Sequence, residues 1–131
     1  MKKLLILLFS ILISLNSFGE WIYVTSDVDN VDYIYVDNES IIKKGSYLYF
    51  WELDDYGTSL VKSETVLSAK AYYEVNCQTK AYKILSDYYY SNQMGNGEIV
   101  HQSNVADTEW TYTVPDSMGA KLITFSCEYI K

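Results

Sequence analysis

No segment constrains this chain more tightly than Tyr47-Leu48-Tyr49-Phe50-Trp51-Glu52-Leu53. Successive side chains of a β-strand point to opposite faces, so a strand with one wet side alternates apolar and polar residues. Here Tyr47, Tyr49, Trp51 and Leu53 share one face, and Leu48 and Phe50 share the other. Both faces are mainly apolar. Such a strand belongs in mid-sheet with both sides at least partly covered. A helix is one candidate cover, and a partner subunit is the other.

The flanking residues supply the rest of a sheet. Residues 21–26 read as a strand, Asp27-Val28-Asp29-Asn30 as a turn and residues 32–36 as the hairpin partner. Ser40-Ile41-Ile42 is a short piece before a Lys43-Lys44-Gly45 turn. After a polar loop at 54–58, residues 60–66 continue the loop or add a weak edge strand. Residues 68–75 form the next strand, ending at Cys77, and 79–91 form a long aromatic one. Glycine at 95 and 97 suits a hairpin turn before a short strand at 98–101, and 110–114 reads as another strand. Fourteen tyrosines, three tryptophans and one proline fit this β-rich pattern.

Beyond Pro115 the period changes. Asp116 or Ser117 can cap a helix, and Ala120, Ile123, Cys127 and Ile130 recur at helical spacing, widened by Leu122 and Phe125. This predicts a terminal helix over 117–129, with a last strand as the alternative. The expected class is α+β, mainly β: a single antiparallel sheet of about six strands with a C-terminal helix packed on one face.

The N-terminus determines the compartment. Lys2 and Lys3 precede an apolar run from Leu4 to Leu15, and Ser17-Phe18-Gly19 offers small residues for cleavage. Residues 1–19 therefore read as a secretory signal peptide, too short in its apolar stretch for a membrane span. A retained anchor is the alternative. The mature domain is then residues 20–131, with no stable span after cleavage and no cysteine near the cut for lipid attachment. Export places Cys77 and Cys127, the only cysteines, where a disulfide is the default. That bond would pin the terminal helix to the sheet.

Charge excludes several ligands. With 1–19 removed, eight lysines face seventeen acids, a formal charge of −9, and there is no arginine. Nucleic acid, anionic lipid and sulfated polysaccharide are disfavoured. No cofactor, metal or catalytic set is expected. His101, the single histidine, could pair with Asp107 or Glu109, but no nucleophile is placed beside it. The Asp27–Asp32 stretch lacks the central glycine and distal glutamate of a calcium loop. Tyr88 and Tyr90 face one way along their strand and Tyr89 the other. Tyr47, Tyr49, Trp51, Tyr88 and Tyr90 are thus the candidate partner-facing rings, with core packing as the other reading.

In order, the chain carries Trp21, Tyr33-Ile34-Tyr35-Val36-Asp37 with Ser40-Ile41, and Tyr49-Phe50-Trp51. Ser68-Ala69-Lys70, Tyr72-Tyr73-Glu74-Val75, Cys77, Lys80 and Tyr82 follow, then Gly95, Gly97, Trp110, Pro115-Asp116-Ser117 and Cys127. In this ordered set the sequence resembles the bacterial surface-adhesin protein E family. The resemblance implies a curved antiparallel sheet with the C-terminal helix held to its concave side by the disulfide. It also implies an exported, dimer-prone, non-enzymatic module that binds host matrix or serum proteins. Lys80 and Asp116-Ser117 read as structural. The competing function is a periplasmic inhibitor of a cationic enzyme such as a lysozyme, which opposite charge would favour; a small hydrolase using His101 is a third.

Overall fold

The computed structural model describes residues 20–29, 31–59 and 64–130. The predicted leader and residues 60–63 of the loop after β4 lie outside them. Eight strands form one antiparallel sheet: β1 (Trp21–Ser26), β2 (Tyr33–Asp37), β3 (Ile42–Lys44), β4 (Tyr47–Asp55), β5 (Ser68–Asn76), β6 (Ala81–Tyr90), β7 (Ile99–Ser103) and β8 (Thr111–Tyr112). The continuous path is β1-β2-β4-β5-β6-β7, with β3 added to β4 and β8 to β6, against about six strands expected. β4 lies inside the sheet, as its two apolar faces require.

The two short strands reveal how the sheet handles a broken edge. β2 covers Glu52–Asp55 of β4 and β3 covers Tyr47–Tyr49, leaving a gap spanned by the 3₁₀ turn Asn38–Ser40. Ser40 fills it. Its Oγ accepts from Trp51 N at 2.9 Å and donates to Asp37 O at 2.7 Å. On the far side β7 pairs with 87–90 of β6 and β8 with 81–82. Asp107 stands in between: its N–H donates to Ile84 O and its Oδ2 accepts from Ile84 N, both at 2.9 Å. A buried ladder group left unpaired costs free energy, and each side chain here supplies the missing partner.

Three expectations need correction. Lys43 and Lys44 are strand residues paired with Leu48 and Tyr47, and the reversal falls at Gly45-Ser46, where Gly45 supplies φ +60. The strand expected at 110–114 shrinks to Thr111–Tyr112 because Val114 O is drawn into the helix cap by Ser117. The long strand begins at Ala81, since Lys80 closes the preceding turn with φ 60.

The terminal helix α1 spans Met118–Tyr129, capped by Ser117, whose Oγ accepts from Ala120 N at 3.1 Å. Leu122, Ile123, Ser126 and Cys127 are its buried residues. Ile130, expected on the apolar stripe, lies past the helix end and is exposed. Leu122 and Ile123 pack onto Ile34, Val36, Leu48, Phe50, Ala71, Tyr73 and Val75, all from one sheet face. Phe50 and Tyr73 stack there, ring centroids 5.3 Å apart. Cys77 and Cys127 are bonded, with Cα atoms 5.8 Å apart, so α1 is fastened to the end of β5.

Parity along β4 places Glu52 on this same face, and it is buried. Burial raises its carboxyl well above the ordinary value, and the neighbouring Asp54 adds repulsion and accepts its proton in a hydrogen bond. Asp54 is itself raised by burial and by the charge of Asp32, and lowered in part by the bond from Glu52. Glu52 is therefore the protonated donor of the pair. Its folded value lies above its unfolded one, so its contribution is full below the ordinary carboxylate range. That contribution is lost as pH rises toward the folded value.

Two outcomes follow. Reducing the disulfide, or replacing both cysteines by alanine, opens a loop of 50 residues; the loss expected is about 4 kcal/mol, read as a lower urea midpoint. An unchanged midpoint would mean that α1 docks without its tether. Glu52→Gln keeps a donor for Asp54 and removes the titration. Its unfolding free energy should vary less with pH than that of the wild type, and exceed it at pH 8. Parallel pH profiles for the two proteins would contradict the assignment.

Candidate functional site

The sheet face turned away from α1 is built in cross-strand rows. One row reads Tyr23, Tyr35, Leu53, Lys70, Tyr88 and Gln102; the next reads Ser26, Tyr33, Asp55, Ser68, Tyr90 and Ile99. Trp51 and Tyr72 pair in the row on the other side of the first. Residues opposite each other on one face of a sheet are in contact range, so the alternation seen in β4 extends into an aromatic-rich face in which Leu53 and Ser68 are buried.

The rings hold one another. Trp51 stacks on Tyr72 with centroids 5.0 Å apart and meets Tyr88 at 6.1 Å. Tyr49 lies 6.2 Å from Tyr72, and its hydroxyl donates to Glu74 Oε2 at 2.5 Å. That bond to a carboxylate pushes the Tyr49 hydroxyl up to about 12. Tyr88 Oη donates to Asn104 Oδ1 at 2.9 Å. Burial, and then Tyr88, raise Tyr90 as well. The raised Tyr49 and Tyr90 phenols stay neutral at physiological pH.

Lysines lie across the same rings. Lys70 Nζ is 5.7 Å from the Trp21 ring and 5.2 Å from Tyr90. Lys83 sits 4.7 Å from Trp110, and Lys44 5.6 Å from Tyr49. Each contact is worth about 0.5–1 kcal/mol at exposed positions. Lys70 also packs against a turn. Gly95, in the turn between β6 and β7, has φ +70, and a Cβ there would collide with Lys70 Cε. The turn is held by Gly95 N donating to Ser68 Oγ at 2.8 Å and Met94 N to Asp55 Oδ1 at 2.7 Å.

Between these groups lies an open groove of about 410 Å³, lined by Trp21, Asp37, Trp51, Lys70, Tyr88, Tyr90 and Ile99. Ile99 is half exposed at its lip. A second cavity, of about 500 Å³, lies against the Cys77–Cys127 bond, with Lys43, Tyr47, Leu48, Gln78 and Ile130 around it. It has no carboxylate among its lining residues.

Of the five candidate rings, Trp51, Tyr88 and Tyr90 meet in the groove. Tyr49 lies further along the same face, and Tyr47 packs at its end against Trp110, centroids 5.1 Å apart. Trp21, Asp37 and Lys70 entered the sequence reading only through the family resemblance, and none of them, nor Ile99, was expected at the site. The alternation of β1 and β5 carried part of that signal, but the pairing register supplied the rest. His101 Nε2 lies 3.1 Å from Glu64 Oε2 on an exposed edge, and Asp107 is engaged by Ile84. Asp27 Oδ1 accepts from Val31 N at 2.8 Å and Asp32 N at 3.2 Å, which makes its loop a self-bonded turn. Among the described residues, no group of three or more His, Cys, Asp or Glu side chains could hold a metal ion.

Residues 21–128 match the model of the family described as surface-adhesin protein E. No curated protein matches the chain. Among solved structures, crystal form II of Haemophilus influenzae protein E is 19% identical, with 89% of this chain and 98% of that chain covered and a TM-score of 0.64. The selenomethionine form of the same protein is 18% identical over 86% of this chain and 89% of that one, with a TM-score of 0.59. At these identities the likeness is one of fold.

Proposed function

The chain belongs to the surface-adhesin protein E family, and from that premise we propose that it is an exported, non-enzymatic protein-binding module. Its working surface is the aromatic sheet face. One observation carries this reading: α1 packs on the opposite face, while the half-buried rings of Trp21, Trp51, Tyr88 and Tyr90 line an open groove. Tyrosine and tryptophan combine a large apolar area with a polar tip and lose little entropy when fixed, which suits them to protein interfaces. The partners are proteins of the host matrix or serum, or a second copy of the chain. Residues 1–19 act as the removed leader, and 20–131 form the one domain.

The acidity of the mature chain supports the second reading, an inhibitor of a cationic enzyme, through faster encounter. The aromatic face favours the first, because a surface selected for a cationic enzyme would carry acids where this one carries Lys44, Lys70 and Lys83.

The test is surface plasmon resonance of residues 20–131 over immobilised matrix and serum proteins, with a lysozyme turbidity assay in parallel. Saturable binding at micromolar concentration is expected, with no effect on lysozyme. Trp51→Ala with Tyr88→Ala should weaken binding by about 2 kcal/mol or more, some ~30-fold, at unchanged circular dichroism. Binding that survives both substitutions would place the working surface elsewhere.

A further inference from the structure

The groove narrows the chemistry of what the aromatic face accepts. Its walls are ring faces, and its two lining charges are Lys70 and Asp37, one of each sign. A ligand therefore meets no net local charge. Lys70 already occupies the faces of Trp21 and Tyr90, so an incoming cation would be repelled where the rings are most negative. An anion would face the −9 charge of the mature chain without an arginine to receive it. A neutral ligand remains.

That ligand must offer C–H surface to the rings together with both donors and acceptors. A proline-rich peptide presents C–H surface, but its prolines bring carbonyl acceptors and no N–H. The carboxylate of Asp37 would then face acceptors. A polyol supplies both kinds of group: hydroxyls that donate to Asp37 and accept from Lys70, and axial C–H bonds for the negative ring faces. The polar groups are fixed in advance. Asp37 Oδ1 accepts from Glu39 N at 3.1 Å, and the stem of Lys70 lies against Gly95. Fixed polar groups lose less freedom when a ligand binds, and the groove volume is within the range of about 300–1,000 Å³ usual for small-molecule sites.

We propose that the groove lined by Trp21, Trp51, Tyr88, Asp37 and Lys70 binds a neutral saccharide, one pyranose lying on the aromatic wall with its hydroxyls between Asp37 and Lys70. The proposal rests on the reading of this face as the binding surface, and it specifies that the protein partner is recognised through a neutral glycan.

The experiment titrates residues 20–131 with maltotriose, cellotriose and N-acetylchitotriose, with 3′-sialyllactose and a heptaproline peptide alongside. Tryptophan fluorescence and indole N–H resonances are the readouts. At least one neutral trisaccharide should give a saturable change at about 1 mM or below. Asp37→Asn, Lys70→Met and Ile99→Asp at the exposed lip should each weaken it about fivefold or more with unfolding temperature retained. A saturable response confined to sialyllactose or heptaproline, or no response to any neutral trisaccharide, overturns the proposal. Capture of a glycoprotein partner before and after enzymatic removal of its glycans separates the two readings. Capture that is unaffected by deglycosylation but lost with Trp51→Ala overturns the saccharide and keeps the face. Capture that survives Trp51→Ala overturns the face itself.

Discussion

The bond between Cys77 and Cys127 decides which side of the sheet becomes the core. β4 offers apolar side chains on both of its faces, and α1 is the one α-helix among the described residues that could cover either. Cys77 follows β5 directly, and Cys127 lies on the buried stripe of α1 beside Leu122 and Ile123. Joining them fixes that stripe over Phe50, Tyr73 and Val75 and commits the helix to one face. Phe50 is completely buried there. Truncating a buried phenylalanine costs about 3–5 kcal/mol, the same order as closing a loop of this length, so tether and core are comparable contributors. The opposite face is then covered in part by the turn at 93–95 and otherwise by its own rings.

A sheet so arranged must still satisfy its backbone where neighbouring strands stop short. The two breaks, beside Trp51 and beside Ile84, are closed by Ser40 and Asp107 respectively. Both residues lie in short irregular segments, and both copy what a strand neighbour would have offered. Asp107 copies it most fully, because it uses its main-chain N–H as well as its carboxylate. This is also why neither Asp107 nor His101 is free for acid–base chemistry with the other. One is part of the ladder, and the other points to Glu64 on an exposed edge.

What was legible in the sequence is what depends on short range. The period-2 alternation of Tyr47–Leu53, the Ser117 cap and the stripe of Leu122, Ile123 and Cys127 are each set within a few residues. The structure has them where the pattern puts them. What was not legible depends on register. Bulges between Tyr23 and Thr25, Tyr72 and Tyr73, and Tyr89 and Tyr90 shift the pairing by one residue each. The pairings of β1 with β2, β2 with β4 and β4 with β5 bring Trp21 on the first strand near Lys70 on the fifth. Parity alone would have put Glu52 on the helix face. Its burial depends on how the sheet packs around it, which a single strand cannot report.

The remaining question is why a face so rich in rings stays half-open. A face serving stability alone would alternate core and polar residues, as one-sided antiparallel sheets do, or would be buried beneath a second layer. Here the rings shield one another edge to edge and face to face, which contributes about 0.5–1.5 kcal/mol per pair. Full burial of each side chain would contribute about 1.5–3 kcal/mol. The arrangement therefore stabilises the domain less than the same residues could. Lysines laid over Trp21, Tyr49, Tyr90 and Trp110 keep charge on the surface. A surface held open in this way, apolar yet carrying its own cations, is what the proposed binding face requires.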